Sequence, residues 1–141
     1  MAISFSNDNI IFNLRRKSEL KIWIKSVIEK EKRVLGNLNY TFVSDESLLK
    51  INIEYLKHNT YTDIITFNYN EGKKVSGDIF ISVDRIKENA QKFDVSFEEE
   101  LHRVIIHGVL HLCGYKDKTR TDSDLMRKKE NSALRLLKQG K

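Results

Sequence analysis

The stretch Val104-Ile-Ile-His-Gly-Val-Leu-His-Leu-Cys113 is apolar on nearly all sides and forms the second half of a helix that begins near Phe97. A helix without a polar face has nothing to offer water, so this one is expected at the centre of the fold, with the other elements packed around it. It contains two imidazoles, His107 and His111. A buried ring with neither a hydrogen bond nor a metal costs about 1–3 kcal/mol, so both rings need partners. Four residues make one turn plus about 40°, with about 1.5 Å of rise per residue, which stacks the two rings on a single face. That spacing lets one helix offer two nitrogens to one Zn²⁺.

A third ligand has to come from beyond the helix end. Gly114 permits the left-handed conformation that turns a chain back on itself, and Asp117 then has the reach. Two imidazoles and a carboxylate, with a fourth position left to water, form an accepted set for a catalytic zinc ion; ligand type alone also admits Mn²⁺, Ni²⁺ or Fe²⁺. The residue after the first histidine is Gly108, whereas metalloproteases of the H-E-x-x-H type carry a general-base Glu there. A peptidase using that base is disfavoured.

Around this helix the hydrophobic periods change in a definite order. A strand is expected near Ile10 to Asn13, then a helix from about Ser18 to Arg33 with Leu20, Trp23, Ile24, Val27 and Ile28 on one face. Asn39 to Val43 alternates as a strand, and Ser44 caps a helix carrying Leu48, Leu49, Ile51, Ile53 and Tyr55. Asp63 to Asn70 and Val75 to Ser82 read as antiparallel neighbours joined at Asn70-Glu-Gly-Lys-Lys. Val83 to Phe93 is helical, and Ser96-Phe-Glu-Glu99 is a capping box for the histidine helix. A last amphipathic helix from Thr121 uses Leu125, Met126, Ala133, Leu134 and Leu137. The expectation is an α+β domain over residues 1–141: a small mixed sheet of about four strands with about five helices, one of them the central metal-binding helix.

With 141 residues, 40% hydrophobic and 32% charged, the chain suits one domain with a real core. No stretch approaches the roughly 20 apolar residues of a membrane span, and the N-terminus lacks the order of a signal peptide. Cys113 is the only cysteine, which fits a reducing, cytoplasmic setting. Residues 1–115 balance sixteen Lys/Arg against sixteen Asp/Glu, while 116–141 carry nine against four. The whole net charge of +5 therefore follows the histidine pair. It suits a polyanionic substrate, or simply a solvated basic helix.

These residues resemble a known family. His107-Gly108-Val109-Leu110-His111-Leu112-Cys113-Gly114-Tyr115 matches the signature H-G-x-L-H-L-x-G-Y-D-H of the YbeY-type bacterial endoribonucleases, or rRNA maturation factors, at every specified position up to the tyrosine. Upstream, Leu49-Lys-Ile-Asn52-Ile-Glu-Tyr55, Thr62-Asp63-Ile64-Ile65-Thr66-Phe67 and Gly77-Asp78-Ile79 resemble its L-N-x-x-Y, T-D-V-L-S-F and G-D-I elements. There are two departures. Asp117 stands at the position of the family's third histidine, and Leu56 stands where the family has an arginine, leaving Lys57 or His58 to supply a substrate contact or general acid.

The resemblance implies one zinc ion at His107, His111 and Asp117, with either its water or the RNA's own 2′-OH as attacking group, in an endoribonuclease that cuts single-stranded RNA during late 16S rRNA 3′-end maturation. Ribosomal RNA, the small ribosomal subunit and ribosome-assembly proteins are the implied partners, with neither membrane nor DNA among them. Two other readings stay open: an rRNA-binding assembly factor whose zinc is structural, and a small metallopeptidase. His102, about 140° around the helix from His107, reads as a surface residue. Cys113 reads as a core thiol, and Tyr115 as a packing residue or a base-stacking one. Asp63 and Asp78 read as turn caps or residues at the cleft rim.

Overall fold

The structure, a computed structural model, describes residues 2–139. Strand β1 (Ala2–Asn7) arises from the alternation of Ile3 and Phe5 with Ser4 and Ser6, which sends one set of side chains to the core and the other to solvent. The strand expected at Ile10 to Asn13 is instead an irregular connection. The Asn7 side-chain amide donates to the Phe12 carbonyl (2.6 Å), Phe12 packs on Phe42 (centroids 4.9 Å apart) and Ile11 is wholly exposed. Its apolar residues are anchors for a crossing segment rather than one face of a strand.

Helix α1 (Lys17–Lys30) buries the five residues expected on its inner face. Strand β2 (Val34–Val43) starts earlier than Asn39, because Leu35 and Leu38 both enter the core across a register shift at Gly36 and Asn37 that breaks the period-two pattern. Helix α2 (Asp45–Leu56) begins at the Ser44 cap, whose hydroxyl accepts from the Ser47 N–H. It buries Leu48 and Asn52, leaving Ile53 and Tyr55 exposed. Strands β3 (Ile64–Asn68) and β4 (Lys74–Ser82) form the expected antiparallel pair. The sheet order is β1-β2-β4-β3; β1, β2 and β4 run parallel and β3 is an antiparallel edge.

Helices α3 (Val83–Lys92), α4 (Phe97–Leu112) and α5 (Arg120–Gln139) complete the α+β domain. One face of the sheet, through Leu38, Tyr40, Ile79 and Ile81, carries the main core shared with α1, α4 and α5. The other face gathers Val43 and Ile65 under Leu48 of α2. The apolar stretch of α4 is enclosed as its sequence requires: Ile105, Ile106 and Val109 are wholly buried, each contributing about 1.5–3 kcal/mol. Gly108 is what lets α4 sit so close to the sheet. A Cβ there would stand 2.9 Å from Ile64 Cδ1 and 3.3 Å from Ile79. The buried stripe of α5 is Met126, Glu130, Ala133 and Leu137, at helical spacing; Leu125 lies about 100° off that stripe and faces solvent.

Candidate metal centre

Helix α4 is fixed at both ends. The Ser96 hydroxyl accepts from the Glu99 N–H (3.1 Å) at its start. At its end, Gly114 adopts φ +109°, so that its N–H donates to the His111 carbonyl (3.0 Å) and the Tyr115 N–H to the Leu110 carbonyl (3.1 Å). This paired closure reverses the chain over the last helical turn. Asp117 is thereby carried back over the two histidines, and its backbone carbonyl is held by the Ser123 hydroxyl (3.2 Å).

The rings of His107 and His111 have centroids 4.5 Å apart. Asp117 Oδ2 lies 3.3 Å from His107 Nε2 and 3.2 Å from His111 Nε2. The opposite ring nitrogens are already engaged. His107 Nδ1 is 2.6 Å from Glu130 Oε2, and His111 Nδ1 is 3.0 Å from the Tyr115 carbonyl. An ionised carboxylate and a carbonyl only accept, so both Nδ1 atoms carry hydrogen and both Nε2 atoms can turn a lone pair toward Asp117. Ligand atoms about 2.0–2.1 Å from a tetrahedral ion stand roughly 3.3 Å apart, so these donors match one small divalent ion in type and spacing. Among the described residues, His107, His111 and Asp117 are the group able to hold such an ion.

Burial alone would depress the His107 pKa, but its hydrogen bond to Glu130 and the charges of Glu130, Asp63 and Asp117 more than reverse this and raise it. Burial opposes ionisation of Glu130, yet His107 and Arg103 hold its carboxyl below the ordinary range. Asp63 is pushed up by burial, partly offset by the charge of His107. It lines the same open cleft of about 370 Å³ as the three donors, together with Asn52 and Leu56. Buried Asn52 shapes the far wall: its side-chain amide donates to the Thr60 carbonyl (2.8 Å), and its backbone carbonyl accepts from the His58 N–H (3.2 Å).

His107, His111 and Asp117 are thus brought together, and Leu56 faces the cleft they form. Lys57 and His58 are exposed on the connection after α2, outside the residues that line the cleft. His102 is not a surface residue: it is 6% exposed, edge-on to Trp23 with centroids 6.1 Å apart. Trp23 of α1 covers that face of the helix. Cys113 is a buried thiol that desolvation pushes up to about 11. Tyr115 packs, with its hydroxyl donating to Glu31 (2.7 Å) and Lys129 Nζ 5.3 Å above its ring. Asp78 accepts from Asn39 (3.1 Å), away from the cleft lining. Glu130 has no place in the sequence reading, and Asn52 enters it only as part of the L-N-x-x-Y resemblance, without a role. The signal for each was a polar residue at a buried position of an otherwise apolar stripe.

The family described as endoribonuclease YbeY matches residues 3–138. A protein of Flavobacterium johnsoniae named endoribonuclease YbeY is 52% identical over 123 residues, which is 87% of this chain and 88% of that protein. One of the same name from Bacteroides fragilis is 46% identical over 139 residues, 99% of this chain and 100% of its own length. A solution structure of a Thermotoga maritima protein superposes with a TM-score of 0.68 at 26% identity, over 96% of this chain and 89% of that one. No helix of the described residues is long and apolar enough to cross a membrane.

Proposed function

This chain belongs to the endoribonuclease YbeY family, and from that premise we propose that it is a zinc-dependent endoribonuclease, a single hydrolase domain over residues 1–141. Its substrate is single-stranded precursor rRNA, cut in the cytoplasm during late maturation of the 16S 3′ end and assembly of the small subunit. The observation that carries this reading is the convergence of His107 Nε2 and His111 Nε2 on Asp117 Oδ2 at 3.3 and 3.2 Å, in an open cleft. A zinc ion bound by these three residues supplies a Lewis acid beside the phosphodiester and a water of lowered pKa.

The chain's own groups do the rest. Asp63, whose carboxyl burial holds above the ordinary range, lines the same cleft and offers a proton-transfer group there. Lys116 and Lys118 flank Asp117 in the exposed connection to α5 and Arg120 opens that helix, where they would neutralise phosphates on either side of the cut. Lys57 and His58, exposed on the connection after α2, would offer further contacts from outside the cleft lining. The Asn52 side-chain amide holds the far wall in place through its hydrogen bond to the Thr60 carbonyl.

One observation favours a second reading, an rRNA-binding assembly factor with structural zinc. Leu56 enters the cleft, and no Lys or Arg is among the described residues that line it. Zinc content and cleavage of a precursor rRNA fragment, with and without chelator, test both readings on wild type, His111→Ala, Asp117→Ala and Asp117→His. The nuclease reading expects cleavage that chelator and His111→Ala abolish, with Asp117→His retaining zinc. Cleavage surviving both chelator and His111→Ala overturns it. Full zinc occupancy without cleavage selects the assembly factor, and unchanged zinc content in Asp117→Ala removes that residue from the ligand set.

A further inference from the structure

Resting on the metal reading above, we propose that Glu130 of α5 is a positioning residue. Its carboxylate commits His107 to bind the ion through Nε2 and supplies part of the ion's counter-charge, and Arg103 locks the carboxylate in that pose.

Both oxygens of Glu130 are used. Oε2 accepts from His107 Nδ1 (2.6 Å), while Oε1 accepts from Arg103 Nη1 (2.9 Å), whose Nη2 in turn donates to Asn131 Oδ1 (2.9 Å). The Glu130 side chain is only 6% exposed. A buried ion pair is weak support for a fold, and packed apolar side chains of similar volume commonly serve as well or better. On the stripe formed by Met126, Ala133 and Leu137, an apolar residue would be the choice for stability alone. The carboxylate instead meets the one imidazole of α4 that has both a cleft-facing nitrogen and a nitrogen turned to α5.

The two ligand histidines are supported unequally. His111 donates to the neutral carbonyl of Tyr115, whereas His107 donates to an anion. An anionic partner makes an imidazole a stronger donor to a metal and fixes its tautomer and ring plane. It also sets the charge of the centre. A divalent ion would meet one carboxylate directly, Asp117, with the charge of Glu130 one imidazole away, where Arg103 and, at 4.0 Å, Arg127 partly offset it. That suits a centre which must hold its ion while still attracting a phosphodiester.

Helix α5 is anchored independently of this contact. The Trp23 indole N–H donates to the Ala133 carbonyl (2.7 Å), and Met126, Ala133 and Leu137 are buried in the main core. Removing the carboxylate therefore leaves the scaffold in place.

The test compares wild type, His111→Ala, the near-isosteric Glu130→Gln, and the double variant Arg103→Met with Glu130→Leu. The full chain is used throughout. Zinc affinity is measured by chelator competition, the geometry of the centre by the absorption of the Co²⁺ form, and the His107 tautomer by ¹⁵N NMR of metal-free protein. The double variant is expected to bind zinc about 10–100-fold more weakly, with an altered Co²⁺ spectrum, a mixed His107 tautomer and no loss of metal-free thermal stability. Glu130→Gln keeps an acceptor for Nδ1–H but loses the charge, so it is expected to hold the tautomer and fall between the two in affinity. Zinc affinity within twofold of wild type in the double variant, or wild-type affinity in Glu130→Gln should the double variant not fold, overturns the proposal. If His111→Ala also retains wild-type affinity, the metal reading itself fails. If only His111→Ala loses zinc, the metal reading stands and Glu130 has no part in it.

Discussion

Two histidines of α4, His102 and His107, stand five residues apart and meet opposite surroundings. His102 lies edge-on to Trp23, and its pKa is lowered, first by burial and then by the charge of Arg16, with Glu98 and Glu19 pulling the other way. His107 is only half-buried, and Glu130 accepts from one of its nitrogens while Asp117 faces the other, so its pKa is raised. Burial of an imidazole does not make a ligand. What distinguishes His107 is an anion behind the ring that fixes the proton on Nδ1 and an open cleft in front that leaves Nε2 for a metal.

The largest expected effect tests that contrast directly. Loss of a partner behind a ligand costs about 10–100-fold in metal affinity, so loss of the ligand in His107→Ala is expected to exceed about 100-fold and to remove stoichiometric zinc. His102→Phe, which refills the space beside Trp23, is expected to keep full zinc content. Zinc analysis of the two purified variants checks this, and loss of metal from His102→Phe would break the comparison.

A smaller effect is expected where α4 is seated on the sheet. In Gly108→Ala the new Cβ meets Ile64 Cδ1 at 2.9 Å, the far end of a flexible side chain, so the cost falls toward the lower end of about 1–3 kcal/mol. The residue adjoins His107, and zinc affinity should weaken. The emission of Trp23, the single tryptophan, reports the His102 end and should not change. Denaturant unfolding, chelator competition and fluorescence read the three quantities.

The smallest effect is one of sign, in metal-free protein. The raised His107 pKa means that its interaction with Glu130 contributes fully below the unfolded value of about 6.5 and is lost as pH rises through the folded pKa. The lowered His102 pKa works the other way: a neutral ring is required, so stability is lost as pH falls from about 6.5 toward the folded pKa. His107→Gln should therefore flatten the decline on the alkaline side and His102→Phe the decline on the acid side. Unfolding midpoints measured across that pH range decide it, and the same slope change in both variants would contradict the opposite shifts.

Much of this architecture was legible beforehand because it is written in local pattern. The apolar run of α4, the Ser96 cap, the Gly114 reversal and the i,i+4 histidines depend on residues close in sequence, and each is where its pattern put it. The first strand was misplaced because Ile10 and Phe12 are apolar for a different reason: they anchor a connection instead of lining a strand face. The start of β2 departs from the period-two reading because Gly36 and Asn37 together stand opposite the single Ser76, and that one extra residue interrupts alternation without ending pairing. Leu56 and Asn52 of α2 both line the cleft, one as a half-exposed apolar side chain and the other buried and bound to the Thr60 carbonyl, and only the packing of α2 over the sheet gives them these different roles.

The sequence by itself determined the donors of the candidate centre, since helical geometry stacks His107 on His111 and a glycine-permitted reversal returns Asp117 to them. It determined the central helix as well, because an apolar cylinder can only be buried. Tertiary structure alone decided what stands behind those donors. Glu130 is twenty-three residues from His107 and meets it because α5 packs along α4, while His102 is removed from solvent by Trp23 of α1. The periodicity of one helix states which face is apolar but not which neighbour will cover it. The proton on Nδ1, the charge beside the ion and the fate of each buried imidazole are all set by that neighbour.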